Sequence, residues 1–245
     1  MRDKVMKTTN GILSPTSLRR REAVAFLIET AAKLEAPPII KYSALTLFAH
    51  RFFPYISTPS SSLQHRHFLL QNPLNCATLQ LFALISLLIS SKSHGYRQLR
   101  LKSLKSIGDD RIKDQHYTKT DYLDAEILFL QCVNFDIGTM KNSVFVRVEE
   151  LLVRFKEVAK IAEMVRVEVC IDVMDVLYES EVISRLFVEA PVCLAAAVVA
   201  ASFVMTVPKR SCEFPLVSWL RFATGCSEDD VLWIVELILE HIVKC

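Results

Sequence analysis

Glycine and proline are scarce in this chain, with 5 glycines and 9 prolines among 245 residues. These two residues supply most tight turns, and an all-β fold of this length would need many of them. Apolar residues make up 51% of the chain, and they lie in long segments with few helix breakers. We therefore predict an all-α protein, with enough apolar material for one large domain or two smaller ones.

Metal and redox motifs are missing as well. The sequence has no CxxC pair, and its 7 cysteines are scattered singly. They are Cys76, Cys132, Cys170, Cys193, Cys212, Cys226 and Cys245. Such cysteines in apolar surroundings are typical of buried free thiols in a reducing compartment, so we expect an intracellular protein. His65 and His67 stand two positions apart, which does not place them on one helix face, and we predict no metal site and no cofactor.

Catalytic motifs and membrane segments are also lacking. There is no glycine-rich phosphate loop, nucleophile elbow or pair of catalytic carboxylates, and we predict that the protein is not an enzyme. Residues 1–17 are mostly polar and read as a flexible tail rather than a secretory signal. Residues 192–207 are apolar over about 16 positions, whereas a membrane span needs about 20. Their alanine content favours a closely packed core helix, and we expect no membrane contact.

Charge is divided unevenly along the chain, although the net charge is only +2. Residues 1–136 carry 18 Lys/Arg against 11 Asp/Glu, about +7, and residues 137–245 carry 11 against 16, about −5. A mildly basic first half suits an acidic partner or nucleic acid, but solvated surfaces also reach such an imbalance by chance.

The sequence does contain two strongly apolar helical segments. Residues 79–92, LQLFALISLLISSK, predict a buried helix at the centre of a helical domain, and residues 121–137, DYLDAEILFLQCVNFDI, predict its partner. The surrounding pattern predicts a first helix capped by Ser17, a second ended by Pro54 and a short fourth ended by Gly108.

The second half repeats this plan loosely. It predicts an amphipathic helix over residues 143–164, an alanine-rich helix over 190–206 and a last helix capped by Ser227. Five helices thus recur after roughly 105 residues. This recurrence indicates an internal duplication of a five-helix unit.

Two charged residues stand out in the apolar segments. Lys92 ends the central helix, where a cation ordinarily complements the helix dipole. Glu126 has apolar neighbours one turn away on both sides, Tyr122 and Phe129, and a carboxylate buried there needs a partner. An ion pair between Lys92 and Glu126 would supply it. Spacing leaves open whether such a pair is purely structural or forms the polar centre of an apolar docking surface.

Several motifs resemble those of the cyclin family. Ile89-Ser-Ser-Lys92 resembles the A-S-K end of a cyclin helix, and residues 126–137, EILFLQCVNFDI, resemble the segment E-x-x-x-L-x-x-x-x-F-x-I/L. His50-Arg51-Phe52 resembles the D-R-F near the end of the second helix. The likeness covers residues 18–245. The chain is most similar to the small plant J-type cyclins, on the segments RRREAVAFLIETAAKLE, IIKYSALTLFA, FKEVAKIAE and VPKRSCEFPLVSW.

The resemblance implies two consecutive five-helix cyclin-box repeats. The N-terminal box would span residues 18–136 and the second repeat residues 137–245, after a tail of residues 1–17. It also implies a surface that binds a cyclin-dependent Ser/Thr protein kinase. On the matched positions, the polar centre of that surface would be Lys92 and Glu126, and its apolar contacts would be Leu130, Phe135 and Ile137.

The chain departs from the family pattern at two places. Ser93-His94-Gly95 follows the lysine where cyclins commonly continue F-E-E, so affinity or kinase choice is expected to differ. Residues 20–27 lack the Met and Trp of the motif M-R-x-x-L-x-x-W, which many cell-cycle cyclins use to dock substrates.

The resemblance therefore implies a non-catalytic regulatory subunit that activates a cyclin-dependent kinase in cell-cycle or transcription control, in the nucleus or cytoplasm. One alternative is a cyclin-fold module of the transcription-factor-IIB kind, which would favour a zinc ribbon ahead of the fold and a more basic face. Another is a helical scaffold without a kinase partner. We expect no direct contact with nucleic acid.

Overall fold

The computed structural model describes residues 14–58, 68–70, 75–95, 99–138, 143–208 and 214–244, and these residues contain helices and no strand. The all-α prediction is therefore confirmed. The chain divides into two compact units, Met1–Thr139 and Met140–Cys245. The sequence had suggested a boundary between residues 136 and 137.

The described residues of the first unit form helices in the following order. They are α1 (Pro15–Lys33), α2 (Pro38–Thr46), a π-helical segment (Leu47–Phe52), α3 (Phe53–Ser57), a 3-10 turn (Phe68–Leu70), α4 (Cys76–His94), α5 (Leu101–Arg111) and α6 (Lys119–Cys132). Helix α4 contacts α1, α2, α5 and α6. It is the central helix that the sequence predicted.

Burial of α4 is nearly complete, since 14 of its 19 residues are buried. Its start is capped by Asn75, whose side chain accepts a hydrogen bond from the Thr78 backbone N–H, and Gly95 ends it with a left-handed φ of 59°. Length and composition alone would let this helix cross a membrane. Its apolar side chains instead pack against the neighbouring helices, as expected of a core helix.

An aromatic cluster fixes α6 against the rest of the unit. The Phe52 ring centroid lies 4.5 Å from that of Phe82 in α4 and 4.7 Å from that of Phe129 in α6. All three side chains are fully buried. Each such pair contributes about 1 kcal/mol beyond the burial of its area, so the cluster joins the second helical segment, the central helix and α6.

Three predicted helix boundaries in this unit are wrong. Ser14, and not Ser17, is the N-cap of α1, because its side chain accepts from the Ser17 backbone N–H. Pro54 does not end the second helix: it lies in the first turn of α3, where its missing N–H is tolerated, and the helix runs on to Ser57. Gly108 lies inside α5, which extends to Arg111.

A close approach of two helices explains the glycine inside α5. A Cβ atom built on Gly108 would collide with the hydroxyl oxygen of Tyr122 in α6, and it would come within 3.3 Å of Leu84 in α4. Gly108 is therefore a packing position and not a helix terminator.

The second unit contains α7 (Val144–Val158), a 3-10 turn (Lys160–Met164), α8 (Val167–Glu179), α9 (Glu181–Ser184), α10 (Leu186–Glu189), α11 (Pro191–Thr206), α12 (Leu216–Thr224) and α13 (Glu228–Lys244). Helix α11 contacts α7, α8, α12 and α13, and residues 194–203 are all buried. The alanine-rich core helix is confirmed.

Two predicted features of the second unit have different outcomes. Ser227 caps α13 as predicted, accepting from the Asp230 backbone N–H at 3.2 Å. The predicted helix over residues 143–164 is broken at Ala159, whose extended backbone (φ −148°, ψ 124°) separates α7 from the 3-10 turn. Phe155 packs in this region against Phe214 and Trp219, with ring centroids 5.1 and 5.0 Å away.

Replacement of Gly108 by alanine tests the close approach. In an ordinary helix interior this change stabilises by about 1 kcal/mol, but here we expect a loss of about 1–3 kcal/mol because the added methyl group overpacks against Tyr122 and Leu84. Urea unfolding measures the free energy. Ser106→Ala, at an exposed position of the same helix, is the control and should change stability little. A Gly108→Ala protein more stable than wild type would contradict the packing explanation.

Candidate functional site

Lys92 and Glu126 form the ion pair that the sequence predicted. Lys92 lies in the last turn of α4, and its Nζ donates to Glu126 Oε1 at 2.5 Å. The side chain of Lys92 is 49% exposed, whereas that of Glu126 is 16% exposed. The carboxylate is thus the more buried partner, and the lysine that binds it is the more exposed one.

The start of α6 positions the glutamate. Thr118 and Asp121 form a reciprocal capping box, in which each side chain accepts a hydrogen bond from the other residue's backbone N–H. Tyr122 and Phe129 turn into the core and are almost fully buried. Because the inward face of α6 is fixed by these residues, Glu126 is directed along the edge of the core toward the end of α4.

Because Lys92 is exposed to solvent, the ion pair contributes little to the free energy of folding. Exposed ion pairs stabilise proteins by about 0–1 kcal/mol. A carboxylate as covered as Glu126 needs a partner, and Lys92 meets that need. The pair is therefore a weak stabilising element that keeps a polar group at an otherwise apolar surface.

The outward face of α6 carries exposed apolar side chains around Glu126. Leu123 is 46% exposed and Ile127 is 55% exposed, and Leu130 is partly buried. Positions 123, 127 and 130 follow the three- and four-residue spacing of one helix face. Sequence reasoning found Leu130 but missed Leu123 and Ile127. Their spacing with Leu130 was the available signal, but the inward stripe of the same helix obscured it.

The loop after α6 presents a further apolar side chain in an unusual backbone conformation. Asn134 and Phe135 have φ values of 54° and 55°, a left-handed conformation that asparagine tolerates but that costs roughly 1 kcal/mol or more for phenylalanine. The Phe135 side chain is 64% exposed, and Ile137 is partly buried. The loop thus holds a phenylalanine in solvent at a cost in backbone strain.

Arg51 holds this loop in place. Its Nη2 donates to Asp136 Oδ2 at 2.6 Å, and Asp136 Oδ1 accepts from the Gly138 backbone N–H at 3.1 Å. The Phe135 backbone N–H also donates to the Leu130 carbonyl oxygen at 2.7 Å. The Arg51 guanidinium lowers the pKa of Asp136 from its ordinary 3.8. The structure thus gives Arg51, noted in the sequence only as part of a motif, the role of a positioning residue.

The residues that follow Lys92 are tied back to α2. His94 Nε2 and Ser43 Oγ lie 2.6 Å apart in a hydrogen bond, and burial lowers the pKa of His94 below its ordinary 6.5. His94 and the left-handed Gly95 end α4 here. The acidic and aromatic groups that the family pattern places after the lysine are therefore replaced by a short, internally bonded turn.

The structure brings the predicted site residues together in two groups. Lys92, Glu126 and Leu130 belong to the edge formed by α4 and α6, and Phe135 and Ile137 belong to the loop that leads out of α6. We call these residues, with Leu123 and Ile127, the α6 surface. Within the described part of the chain, no group of three His, Cys, Asp or Glu side chains could hold a metal ion. His65 and His67 lie outside the described residues.

Comparison with known proteins finds cyclins by family model, by sequence and by structure. The model of the cyclin N-terminal domain matches residues 2–138. The chain is 46% identical to Cyclin-J18 of Arabidopsis thaliana over 224 residues, covering 91% of this chain and 94% of that protein. It is 38% identical to the Cyclin-J18-like protein of Oryza sativa subsp. japonica over 236 residues, covering 94% and 89%. The solved structure of a viral cyclin from herpesvirus saimiri matches with a TM-score of 0.67 at 11% identity, covering 93% of this chain and 85% of that one.

The loop clamp can be tested through Arg51. In Arg51→Met we expect amide exchange of residues 133–138 to rise at least several-fold, because the left-handed backbone loses its anchor, while global unfolding changes little. Hydrogen–deuterium exchange measures the effect. Lys105→Met, which removes an exposed ion pair within α5, is the matched control and should leave the loop unchanged.

The pH dependence gives the same test a second readout. Since the pKa of Asp136 is lowered in the folded protein, the ion pair orders the loop above the unfolded-state pKa, and this order is lost as pH falls through the folded-state pKa, below 3.8. The Asp136 titration, followed by carboxyl-carbon NMR, should move up toward 3.8 in Arg51→Met. An unchanged midpoint and unchanged exchange would contradict the clamp.

Proposed function

We propose that this chain, which belongs to the cyclin family, is a non-catalytic regulatory subunit that binds and activates a cyclin-dependent Ser/Thr protein kinase. The proposal extends to a role in cell-cycle or transcription control and to action in the nucleus or cytoplasm. The observation that carries it is the α6 surface, where exposed apolar side chains surround one ion pair.

The chemistry of the α6 surface suits a helical partner. Leu123, Ile127 and Phe135 leave large apolar areas in water, and burial of such areas drives association. Lys92 and Glu126 at the edge of these side chains offer a donor and an acceptor to polar groups of the partner. Apolar anchors around one charge-assisted contact are the usual composition of an interface centre.

Activation would follow from differential binding. A kinase helix that carries a catalytic glutamate must be correctly placed before its ion pair with the catalytic lysine can form. A subunit that binds the active placement about 10⁴-fold more tightly would move the kinase from 1% to 99% active. The subunit needs a preorganised surface for this and no catalytic group of its own. The anchored Phe135 loop supplies such preorganisation.

The residues in the turn after Lys92 are expected to affect which kinases this chain binds. Ser93 and His94 replace the aromatic and acidic residues that the family commonly carries at this edge, and the Ser43–His94 hydrogen bond holds the turn close to α2. Kinases that rely on those missing contacts should bind weakly. The proposal therefore includes selectivity within the kinase family, set at the end of α4.

Co-purification with a panel of plant cyclin-dependent kinases, followed by a kinase assay, tests the proposal. We expect stable binding and activation by the wild-type chain, both lost in Lys92→Ala/Glu126→Ala. The double variant Lys105→Ala/Asp109→Ala removes an exposed ion pair elsewhere in the first unit and is the matched control. Binding that survives loss of Lys92 and Glu126 would reject the α6 surface as the site. A well-folded protein that binds no kinase would favour a scaffold or a transcription-factor-IIB-type module.

Glu126→Gln separates a binding role from a structural one. The amide keeps the size of the side chain but loses its charge, and we expect kinase affinity to fall roughly 30-fold or more because the charged contact is desolvated in the complex. The melting temperature should fall by only about 3 °C, because Lys92 is half-exposed in the free protein and the ion pair therefore contributes little to stability. Calorimetry and thermal unfolding measure the two effects. A large fall in stability with binding intact would assign Glu126 a structural role.

Phe135 tests the apolar part of the surface. We expect Phe135→Ala to weaken kinase binding roughly tenfold or more, as for other buried aromatic anchors, with little change in stability because the side chain is exposed in the free protein. Phe222→Ala, at a phenylalanine that is 85% exposed in the second unit, is the matched control. Equal effects of the two substitutions would show that the loss is not specific to the α6 surface.

A further inference from the structure

Two cysteines of the second unit lie in contact. Cys193 is in the first turn of α11, and Cys226 lies between α12 and α13. Their Sγ atoms are 2.8 Å apart, although 33 positions separate the two residues in sequence. Both are free thiols. The S–S bond of a disulfide is about 2 Å long, so the two sulfur atoms lie within about 1 Å of bonding distance.

The backbone on both sides of the pair is well fixed. Gly225 takes a left-handed φ of 74° and donates its N–H to the Arg221 carbonyl oxygen, which ends α12. The Cys226 backbone N–H donates to Thr224 Oγ1 at 3.2 Å, and that hydroxyl donates to the Leu220 carbonyl oxygen at 2.7 Å.

Helix packing fixes the other side of the pair. The Leu194 backbone N–H donates to the Ala190 carbonyl oxygen at 2.9 Å, which closes the first turn of α11 around Cys193. Helix α11 packs against both α12 and α13. The two sulfur atoms therefore meet between elements that are already docked within one unit.

Accessibility differs between the two thiols. Cys226 is buried, with 8% of its surface exposed, whereas Cys193 is only partly buried. Burial, the neighbouring Cys226 and the charge of Asp230 raise the pKa of Cys193 well above its ordinary 9.0. Few thiolates exist at neutral pH under these conditions, so exchange is slow.

We propose that Cys193 and Cys226 form a reversible intramolecular disulfide that locks the second unit when the surrounding thiol pool becomes oxidised. The proposal is independent of kinase binding, because it concerns only the stability of the second unit. It places a covalent modification at the junction of α11, α12 and α13.

The oxidant is a small-molecule disulfide such as oxidised glutathione. Cys193, as its thiolate, attacks one glutathione sulfur, which forms a mixed disulfide and releases one glutathione thiolate that takes up a proton. Cys226 then loses its proton and attacks the Cys193 sulfur, which releases the second glutathione. Two protein thiols and one oxidised glutathione thus become one protein disulfide and two reduced glutathione molecules.

Closing the loop between the two residues restricts the unfolded chain. The expected consequence is a rise of about 5–10 °C in the melting temperature of the oxidised protein, reversed by dithiothreitol. A rise of this size requires a bridge that fits the folded backbone without distortion.

The experiment compares the full chain after prolonged equilibration at mildly alkaline pH in excess oxidised glutathione or in dithiothreitol. A background with Cys212→Ser and Cys245→Ser removes two cysteines that lie outside the described residues. Peptide mapping should identify a linked pair containing Cys193 and Cys226, with a mass lower by two hydrogen atoms. Thermal unfolding of the same samples gives the change in melting temperature.

Two variants make the test decisive. Cys193→Ser should abolish both the linked peptide and the rise in melting temperature. Cys76→Ser is the matched control at a partly buried cysteine of the first unit, and it should keep both. The mapping of the parent background decides the question even where a variant folds poorly. Two fully alkylatable thiols after equilibration, a stable glutathione adduct on Cys193, or a disulfide that leaves the melting temperature unchanged would each overturn the proposal.

Discussion

Burial of the central helix α4 is the constraint on which the first unit depends. Almost no side of this helix faces solvent, so other helices must cover it on all sides, and α1, α2, α5 and α6 do so. Because Gly108 has no side chain, α5 and α6 can pack closely against each other. The aromatic cluster around Phe52 fixes α6 against α4. The exposed residues of α4 lie in its last turn, and Lys92 is one of them.

The α6 surface follows from the way α4 ends. Glu126 sits at the edge of the core, where it is largely covered, and the lysine at the end of α4 supplies its partner. The neighbouring apolar side chains have no comparable partner among the described residues and stay exposed. A left-handed loop anchored by Arg51 adds an exposed phenylalanine. Each feature is weakly favourable or costly for the isolated fold, and the proposed binding of another protein accounts for their presence together.

The second unit also has a buried central helix, but its side chains are smaller. Its central helix α11 is rich in alanine and buried over residues 194–203, and small side chains let the surrounding helices approach its axis closely. One result is that the first turn of α11 meets the connection between α12 and α13, where Cys193 and Cys226 touch. Two cysteines that are unremarkable in sequence thereby become neighbours.

Sequence by itself determined the helical class and the two central helices, and it suggested the ion pair of Lys92 with Glu126. These follow from local periodicity and from the cost of an unpaired carboxylate in an apolar stripe. Only the tertiary structure decided the extent of α5 through Gly108, the continuation of the helix past Pro54, the anchoring of Phe135 by Arg51 and the meeting of two distant thiols. Each of these depends on which helices touch, and helix contacts are set by packing between residues far apart in the chain, which local spacing does not encode.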